Sequence, residues 1–298
     1  MSVLPKITII TPTFNQGKFI EKSILSVLNQ NYPNLEYIII DGGSSDDTLD
    51  IIKKYENRIT FWISEKDNGQ SHAINKGLQK SSGDIINWLN SDDFLEEGAL
   101  FFIAECFKNQ TTNVVAGYSS YVNENGVAIE NMTFRTFINK DDIFSTLSNT
   151  SLNQPSTFFR KQVFDKITPL NEALHYNMDL FMWLRYLVLY KLETIYLTDK
   201  KLSIISYHTK AKTVKDFHKT FGEKKYIYDN LFKSLLNQSS ELNFEISVIA
   251  KSKKSFYNLK KYYYRYRLFD RNLSGNRTSF SISNFANYIY YLIKTVVK

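Results

Sequence analysis

Ile7-Thr8-Ile9-Ile10-Thr11-Pro12-Thr13-Phe14-Asn15 has the texture of a buried strand that breaks at its end. A second strand, Glu36-Tyr37-Ile38-Ile39-Ile40, ends on Asp41 and runs into Gly42-Gly43-Ser44-Ser45-Asp46-Asp47-Thr48. A third, Ile85-Ile86-Asn87-Trp88-Leu89, ends in Asn90-Ser91-Asp92-Asp93. The last two deliver carboxylates at their C-terminal ends, the edge at which open α/β sheets bind ligands. An Asp pair there, with no Lys or Arg beside it, suits a hard divalent cation bridging a diphosphate.

Between these strands the periodicity changes from two to that of a helix. Ile20, Ile24, Val27 and Leu28 fall on one face and predict a helix over 17–29. Further helices are expected over 46–56 and 69–80, with a strand over 60–64 between them. The order β-α-β-α-β-α-β predicts an α/β fold with a Rossmann-like, mostly parallel sheet covered by helices. A helix over 96–108 follows, and then a hairpin whose arms, 114–121 and 127–133, flank Asn123-Glu124-Asn125-Gly126. Residues 175–190 read as a strongly hydrophobic helix. Beyond about 210 the chain turns Lys-rich, Tyr-rich and helical, which divides it into a domain over 1–210 and a C-terminal region over 211–298.

At 298 residues, 43% of them hydrophobic, the chain can bury a full core. The single cysteine, Cys106, rules out an internal disulfide and a cysteine-based zinc site. No signal-like segment precedes the first strand, and no apolar run approaches the ~18 residues of a transmembrane helix. The expected location is the cytoplasm. The net charge of +7 hides an asymmetry, because residues 251–298 carry eleven Lys and Arg against one acid, Asp270, and the rest of the chain is net −3. A mildly acidic body with a basic tail points to an acidic surface as the partner of the tail alone.

Each motif also has a purely structural explanation. Asp93 followed by Glu96 resembles a capping box, and carboxylates favour a helix's first turn in any case. Asp41 with Gly42-Gly43 is equally a glycine turn in which Ser44 or Ser45 caps the next helix. The two sites together, both at strand ends, favour a ligand crevice over two unrelated caps.

In order, Thr11-Pro12-Thr13-Phe14-Asn15, Asp41-Gly42-Gly43-Ser44-Ser45-Asp46-Asp47-Thr48, the segment from Ser64 to Leu78 and the segment from Gly83 to Asp93 resemble the nucleotide-sugar-binding half of family two glycosyltransferases of the GT-A fold. The resemblance covers residues 5–205. It implies that Thr11, Pro12 and Thr13 line the nucleotide pocket, that Asp41 reads the base, and that Asp92 touches sugar or ribose. It implies Mn²⁺ or Mg²⁺ on Asp93, and a nucleoside diphosphate sugar donor, with UDP as the first expectation. Asn75 and Gly77 match the family's Asn-x-Gly, whereas Ile74 stands where a common form carries Arg.

Gln154-Pro155-Ser156 and the run Met178-Asp179-Leu180-Phe181-Met182-Trp183-Leu184-Arg185 supply the acceptor side. Asp179 opens a helix otherwise built of Met, Leu, Phe, Trp and Tyr. The helix dipole accounts for a carboxylate there, and burial among aromatics would raise its pKa toward a useful base. By resemblance Asp179 is the catalytic base, in a motif ending Trp183-Leu184-Arg185. Gln154, Trp183, Arg185 and His208 are expected on the acceptor or diphosphate side, with His208 a second candidate for the metal. Glu65 and Asp67 are expected at the border of the pocket. His72, His175 and His218 show no ligand spacing.

The resemblance implies an inverting glycosyltransferase of bacterial surface polysaccharide synthesis, moving a hexosyl or N-acetylhexosaminyl group to a glycan or lipid-linked acceptor. The alternatives are an inactive transferase-like scaffold at the membrane and an NAD-dependent oxidoreductase. The second needs Gly-x-Gly-x-x-Gly after the first strand, where this chain has Thr-Pro-Thr-Phe-Asn. In residues 251–298 twelve Phe and Tyr interleave with the basic residues. That mixture suits the anionic inner face of a plasma membrane. It equally suits a helical cap on the catalytic domain. No nucleic-acid motif accompanies it.

Overall fold

The computed structural model describes residues 4–208, 216–235 and 241–242. Among these residues nine strands form one sheet in the order β3-β2-β1-β4-β8-β6-β9-β5, with β7 paired to β6. The first four strands, β1 (Ile7–Thr13), β2 (Leu35–Asp41), β3 (Phe61–Ser64) and β4 (Ile85–Trp88), are all parallel. Between them run α1 (Ile20–Leu28), α2 (Thr48–Lys54) and α3 (Gln70–Lys80), as the periodicity predicts.

The strand residues sort by face. Ile7, Ile9, Tyr37, Ile39 and Ile85 join Ile20, Ile24 and Val27 in one buried core. Ile10 points the other way, and α3 approaches it so closely that a Cβ on Gly77 would lie 2.5 Å from Ile10 Cγ2. The glycine is therefore a packing requirement. At the N-terminal end of the sheet Glu36, buried in β2, accepts hydrogen bonds from Thr8 Oγ1 (2.6 Å) and the Ser82 N–H (2.7 Å), and pairs with Lys6 at 2.9 Å. Burial pushes its carboxyl up, but these donors together bring it down to about 2.

Beyond β4 the sheet is mixed. β5 (Phe94–Leu95) and α4 (Ala99–Cys106) lead into the hairpin of β6 (Val114–Asn123) and β7 (Ala128–Arg135), which turns with Gly126 at φ 79°. β8 (Thr157–Arg160) lies antiparallel to both β4 and β6. β9 (Ile195–Tyr207) runs parallel to β6 and antiparallel to β5. Among the described residues the remaining α-helices are α5 (Ile143–Asn149), α6 (Lys161–Ile167), α7 (Met178–Leu189) and α8 (Phe217–Leu235).

The chain divides into two compact units. Met1–Thr136, Ser151–Trp183 and Glu193–Glu223 form the first, which contains the whole sheet. Phe137–Thr150, Leu184–Leu192 and the described part of Lys224–Lys298 form the second. Inside the second unit, Thr146 Oγ1 donates to Asn139 O at 2.9 Å, and Asn230 Oδ1 accepts the Glu241 N–H at 2.8 Å. The basic, aromatic segment 251–298 lies outside the described residues.

Candidate active site

Parallel register sets the location of the site. The last pair of β1 and β2 is Thr13 with Asp41, and that of β2 and β3 is Asp41 with Ser64. β4 ends three residues earlier, with Trp88 opposite Ile10 and the Leu89 N–H donating to Ile10 O at 2.9 Å, so 90–93 emerge toward the same edge. There the first unit holds a cavity of 570 Å³, within the usual range for small-molecule sites. Pro12, Thr13, Asp92, Asp93, Gln154, Asp179 and His208 all line it, although they come from five separate stretches of chain.

Asp93 is 5% exposed. Its carboxylate accepts the Ser206 N–H at 3.2 Å, because β9 ends beside it, and Asn90 Nδ2 at 3.3 Å. Asn90 is held in turn by Gln70 Nε2, 2.7 Å from its Oδ1. Burial first, and then the charge of Asp92, push the Asp93 carboxyl well above the ordinary range, and the two donors offset this only in part. His208 Nε2 lies 3.0 Å from Asp92 Oδ2, and its ring stacks on Phe19 with centroids 4.9 Å apart. His208 Nδ1 and Thr13 Oγ1 are buried without a hydrogen-bond partner among the described residues.

This donor set fits the divalent cation implied by the resemblance. Two carboxylates supply hard anionic oxygen, and the His208 imidazole, paired with Asp92 through Nε2, keeps a buried Nδ1 without a partner among the described residues. Among the described residues no group of three His, Cys, Asp or Glu side chains stands as a ready cluster, so the fit is one of donor chemistry.

Asp179 reaches the cavity from the first turn of α7, with Oδ1 accepting the Leu180 N–H at 2.8 Å. Gln154 is fixed to β4 through its Nε2, which donates to Trp88 O at 2.6 Å and Asn87 Oδ1 at 3.0 Å. Both side chains are thus positioned by the backbone of regular elements.

Other expected site residues do not line the cavity. Thr11 is fully buried and hydrogen-bonded to the Tyr37 hydroxyl at 3.1 Å. Asp41 is also fully buried: Gly43 N–H, Ser44 N–H and Ser64 Oγ donate to its Oδ2, and Ser44 Oγ to its Oδ1. Those donors shape the turn after β2. Asn75 donates to Leu170 O at 2.9 Å and accepts the Leu170 N–H at 2.8 Å, tying α3 to a distant loop. Trp183 is fully buried, edge-on to Phe159 at 6.2 Å. Arg185 falls in the second unit. Of the two expected border residues, Asp67 lines the cavity, while Glu65 pairs with Lys76 at 2.7 Å.

The cavity also uses residues that carry no sequence signal of their own. Tyr121, Met132 and Phe134 come from the hairpin strands and Leu152 from the loop before Gln154. His175 and Tyr176 precede α7, and Gln70 and Asn90, which do lie inside the sequence motifs, complete the wall near Asp93. Period-two alternation in β6 and β7 marks which hairpin residues share a face, but not that this face meets the strand-end carboxylates.

Residues 8–168 match the model of the family "Glycosyl transferase family 2". A GalNAc(5)-diNAcBac-PP-undecaprenol beta-1,3-glucosyltransferase of Campylobacter jejuni is 38% identical over 101 residues, 33% of this chain and 33% of that protein. The chain matches between a third and two-fifths of the length of the first curated relatives. Staphylococcus aureus TarS 1-349 in complex with UDP-GlcNAc superposes with a TM-score of 0.58 at 16% identity, over 98% of this chain and 80% of that one. A Pyrobaculum calidifontis mannosyltransferase in complex with GDP-Man and Mn²⁺ gives 0.54 at 13% identity, over 100% of this chain and 87% of that one. These likenesses show the GT-A fold.

Proposed function

The chain belongs to glycosyl transferase family 2, and from that premise we propose that it is an inverting glycosyltransferase. The donor is a nucleoside diphosphate sugar, UDP-linked in the first instance. The acceptor is a hydroxyl on a glycan or lipid-linked intermediate of bacterial surface polysaccharide. The observation that carries the reading is the gathering of Asp92, Asp93, His208 and Asp179 around one cavity at the C-terminal edge of the parallel strands.

Asp93, the neighbouring Asp92 carboxylate and His208 would be the residues to hold Mn²⁺ or Mg²⁺. When bound, that cation neutralises charge on the diphosphate leaving group. Pro12 and Thr13 sit where the nucleotide enters, with the unpartnered Thr13 hydroxyl free for a donor contact. Asp41 acts on the nucleotide through the turn that it braces, since its own oxygens are occupied. Asp179 takes the proton of the acceptor hydroxyl as that oxygen bonds to the anomeric carbon. The bond to the diphosphate breaks with its electron pair leaving on the phosphate oxygen. One displacement with one base inverts the anomeric centre.

A donor of this class is supported by two of the matched proteins, which are seen with UDP-GlcNAc and with GDP-Man and Mn²⁺. A thermal-shift screen of UDP, GDP and their sugars, each with and without Mn²⁺, tests the reading. A ligand at 100 times its Kd stabilises by about 2.7 kcal/mol. A metal-dependent shift with one nucleoside diphosphate is expected. Absence of any shift across the panel would leave the scaffold alternative in its place.

A further inference from the structure

Glu223, in α8, belongs to no motif, yet its carboxylate grips the start of α7. It accepts the backbone N–H groups of three consecutive residues, His175 at 2.6 Å, Tyr176 at 2.8 Å and Asn177. Asn177 Nδ2 in turn donates to Thr220 O, in the same turn of α8, at 2.8 Å. Three successive N–H groups converging on one anion form a nest. Of the three, Asn177 is buried, and without the carboxylate its N–H would lose this acceptor, a state that buried backbone avoids.

The loop held in this way leads directly to Asp179. His175 and Tyr176 line the cavity, and the carbonyl of the buried Asn177 opens α7 by accepting the Phe181 N–H at 3.0 Å. Asp179 lies two residues further on, at the first turn. The register of that turn against the cavity therefore depends on a carboxylate 46 residues away from Asn177 in the chain.

We propose that Glu223 is a positioning residue for the transfer step: by binding the N–H groups of 175–177 it holds Asp179 at the acceptor hydroxyl. The proposal rests on reading Asp179 as the base. Its consequence is that α8, outside the span 8–168 of the family model, completes the catalytic apparatus.

The test compares wild type, Glu223→Gln, Glu223→Ala, Asp179→Asn and the double variant Asp179→Asn with Glu223→Ala. Amide hydrogen exchange reads 175–177. UDP release from UDP-N-acetylglucosamine with Mn²⁺ gives kcat and KM. Glu223→Ala should speed exchange at 175–177 and lower kcat by roughly 10- to 100-fold, the cost of a displaced catalytic group, with donor KM and UDP affinity within about twofold. Glu223→Gln, which keeps one neutral acceptor, should fall between, and it serves as the test variant if the alanine form does not fold. The double variant should be no slower than Asp179→Asn, because residues acting as a unit are non-additive. Unchanged exchange at 175–177 in Glu223→Gln overturns the proposal. So does full kcat in either Glu223 variant beside a slow Asp179→Asn, or a double variant slower than Asp179→Asn. A wild-type rate in Asp179→Asn overturns the base reading instead.

Discussion

Asp93 carries an electrostatic cost in the site: a buried carboxylate beside a second one, answered by two neutral donors. A group whose folded pKa lies above its unfolded value favours the fold while protonated and loses that contribution as pH rises through the folded pKa. Metal-free wild type should therefore lose thermal stability as pH rises from the ordinary carboxylate range into the raised one. Asp93→Asn should lack this loss and melt higher than metal-free wild type near neutrality. It should also lose the Mn²⁺-dependent shift with UDP. Melting curves against pH, with and without Mn²⁺, check all three points, and an Asp93→Asn protein that keeps the Mn²⁺ shift would make Asp93 a structural carboxylate before β5 and no more. Asp41 teaches the complementary lesson at this scale. Its place at a strand end was plain from the chain, but the four donors that occupy its oxygens come from Gly43, Ser44 and Ser64. Ser64 is 23 residues away, and no local pattern announces the pairing.

Elements in this protein are held by close approach and by buried charge. Gly77 lets α3 lie directly on β1, and a methyl there would meet Ile10 at 2.5 Å. Gly77→Ala should destabilise by about 1–3 kcal/mol, the usual cost of overpacking, despite alanine's better helix propensity. Urea unfolding decides it, and an unchanged midpoint would mean that the helix shifts freely. Glu36 ties β1, β2 and the turn before β4 together with a pKa lowered from 4.5 to about 2. A depressed acid contributes stability above its unfolded pKa and loses it as pH falls through the folded one. Glu36→Gln should cost about 3 kcal/mol at pH 6, and the gap from wild type should close between pH 4.5 and 2. Urea titrations at three pH values read this directly; a gap independent of pH would assign the loss to packing.

Across the whole molecule, charge is divided between a body of net −3 and a final segment of net +10. Among the described residues no helix is long and apolar enough to cross a membrane. We expect residues 251–298 to bring the protein to an anionic bilayer, each basic residue near the surface contributing about 1 kcal/mol. Full-length chain should co-sediment with phosphatidylserine vesicles at low salt and release at high salt, while a version ending near Ser247 should stay in solution. Equal behaviour of the two would favour the tail as a cap on the catalytic domain. A lipid-linked acceptor would give such attachment a purpose, as substrate and enzyme would share one surface.

The parallel half of the sheet and its carboxylate edge were legible in the chain because each βα unit is local. Ile7–Thr13, Leu35–Asp41 and Ile85–Trp88 are short apolar runs separated by helices with one apolar face, and each closes over its own neighbours. In the mixed half only the β6–β7 hairpin was legible, from its alternation about Asn123-Glu124-Asn125-Gly126. β8 is four residues long, and β9 carries Asp199, Lys200 and Lys201 in its middle, so neither shows a clean period. Their partners β4 and β6 lie far off in sequence, and only the pairing makes them strands. The same holds for the site. Asp92, Asp93 and Asp179 announce themselves by type and position, whereas Ser206 on Asp93, Phe19 on His208 and Glu223 on the start of α7 exist only once the chain has closed. Local sequence determines which elements form and which face is apolar; long-range packing determines which side chains those elements bring within hydrogen-bonding distance.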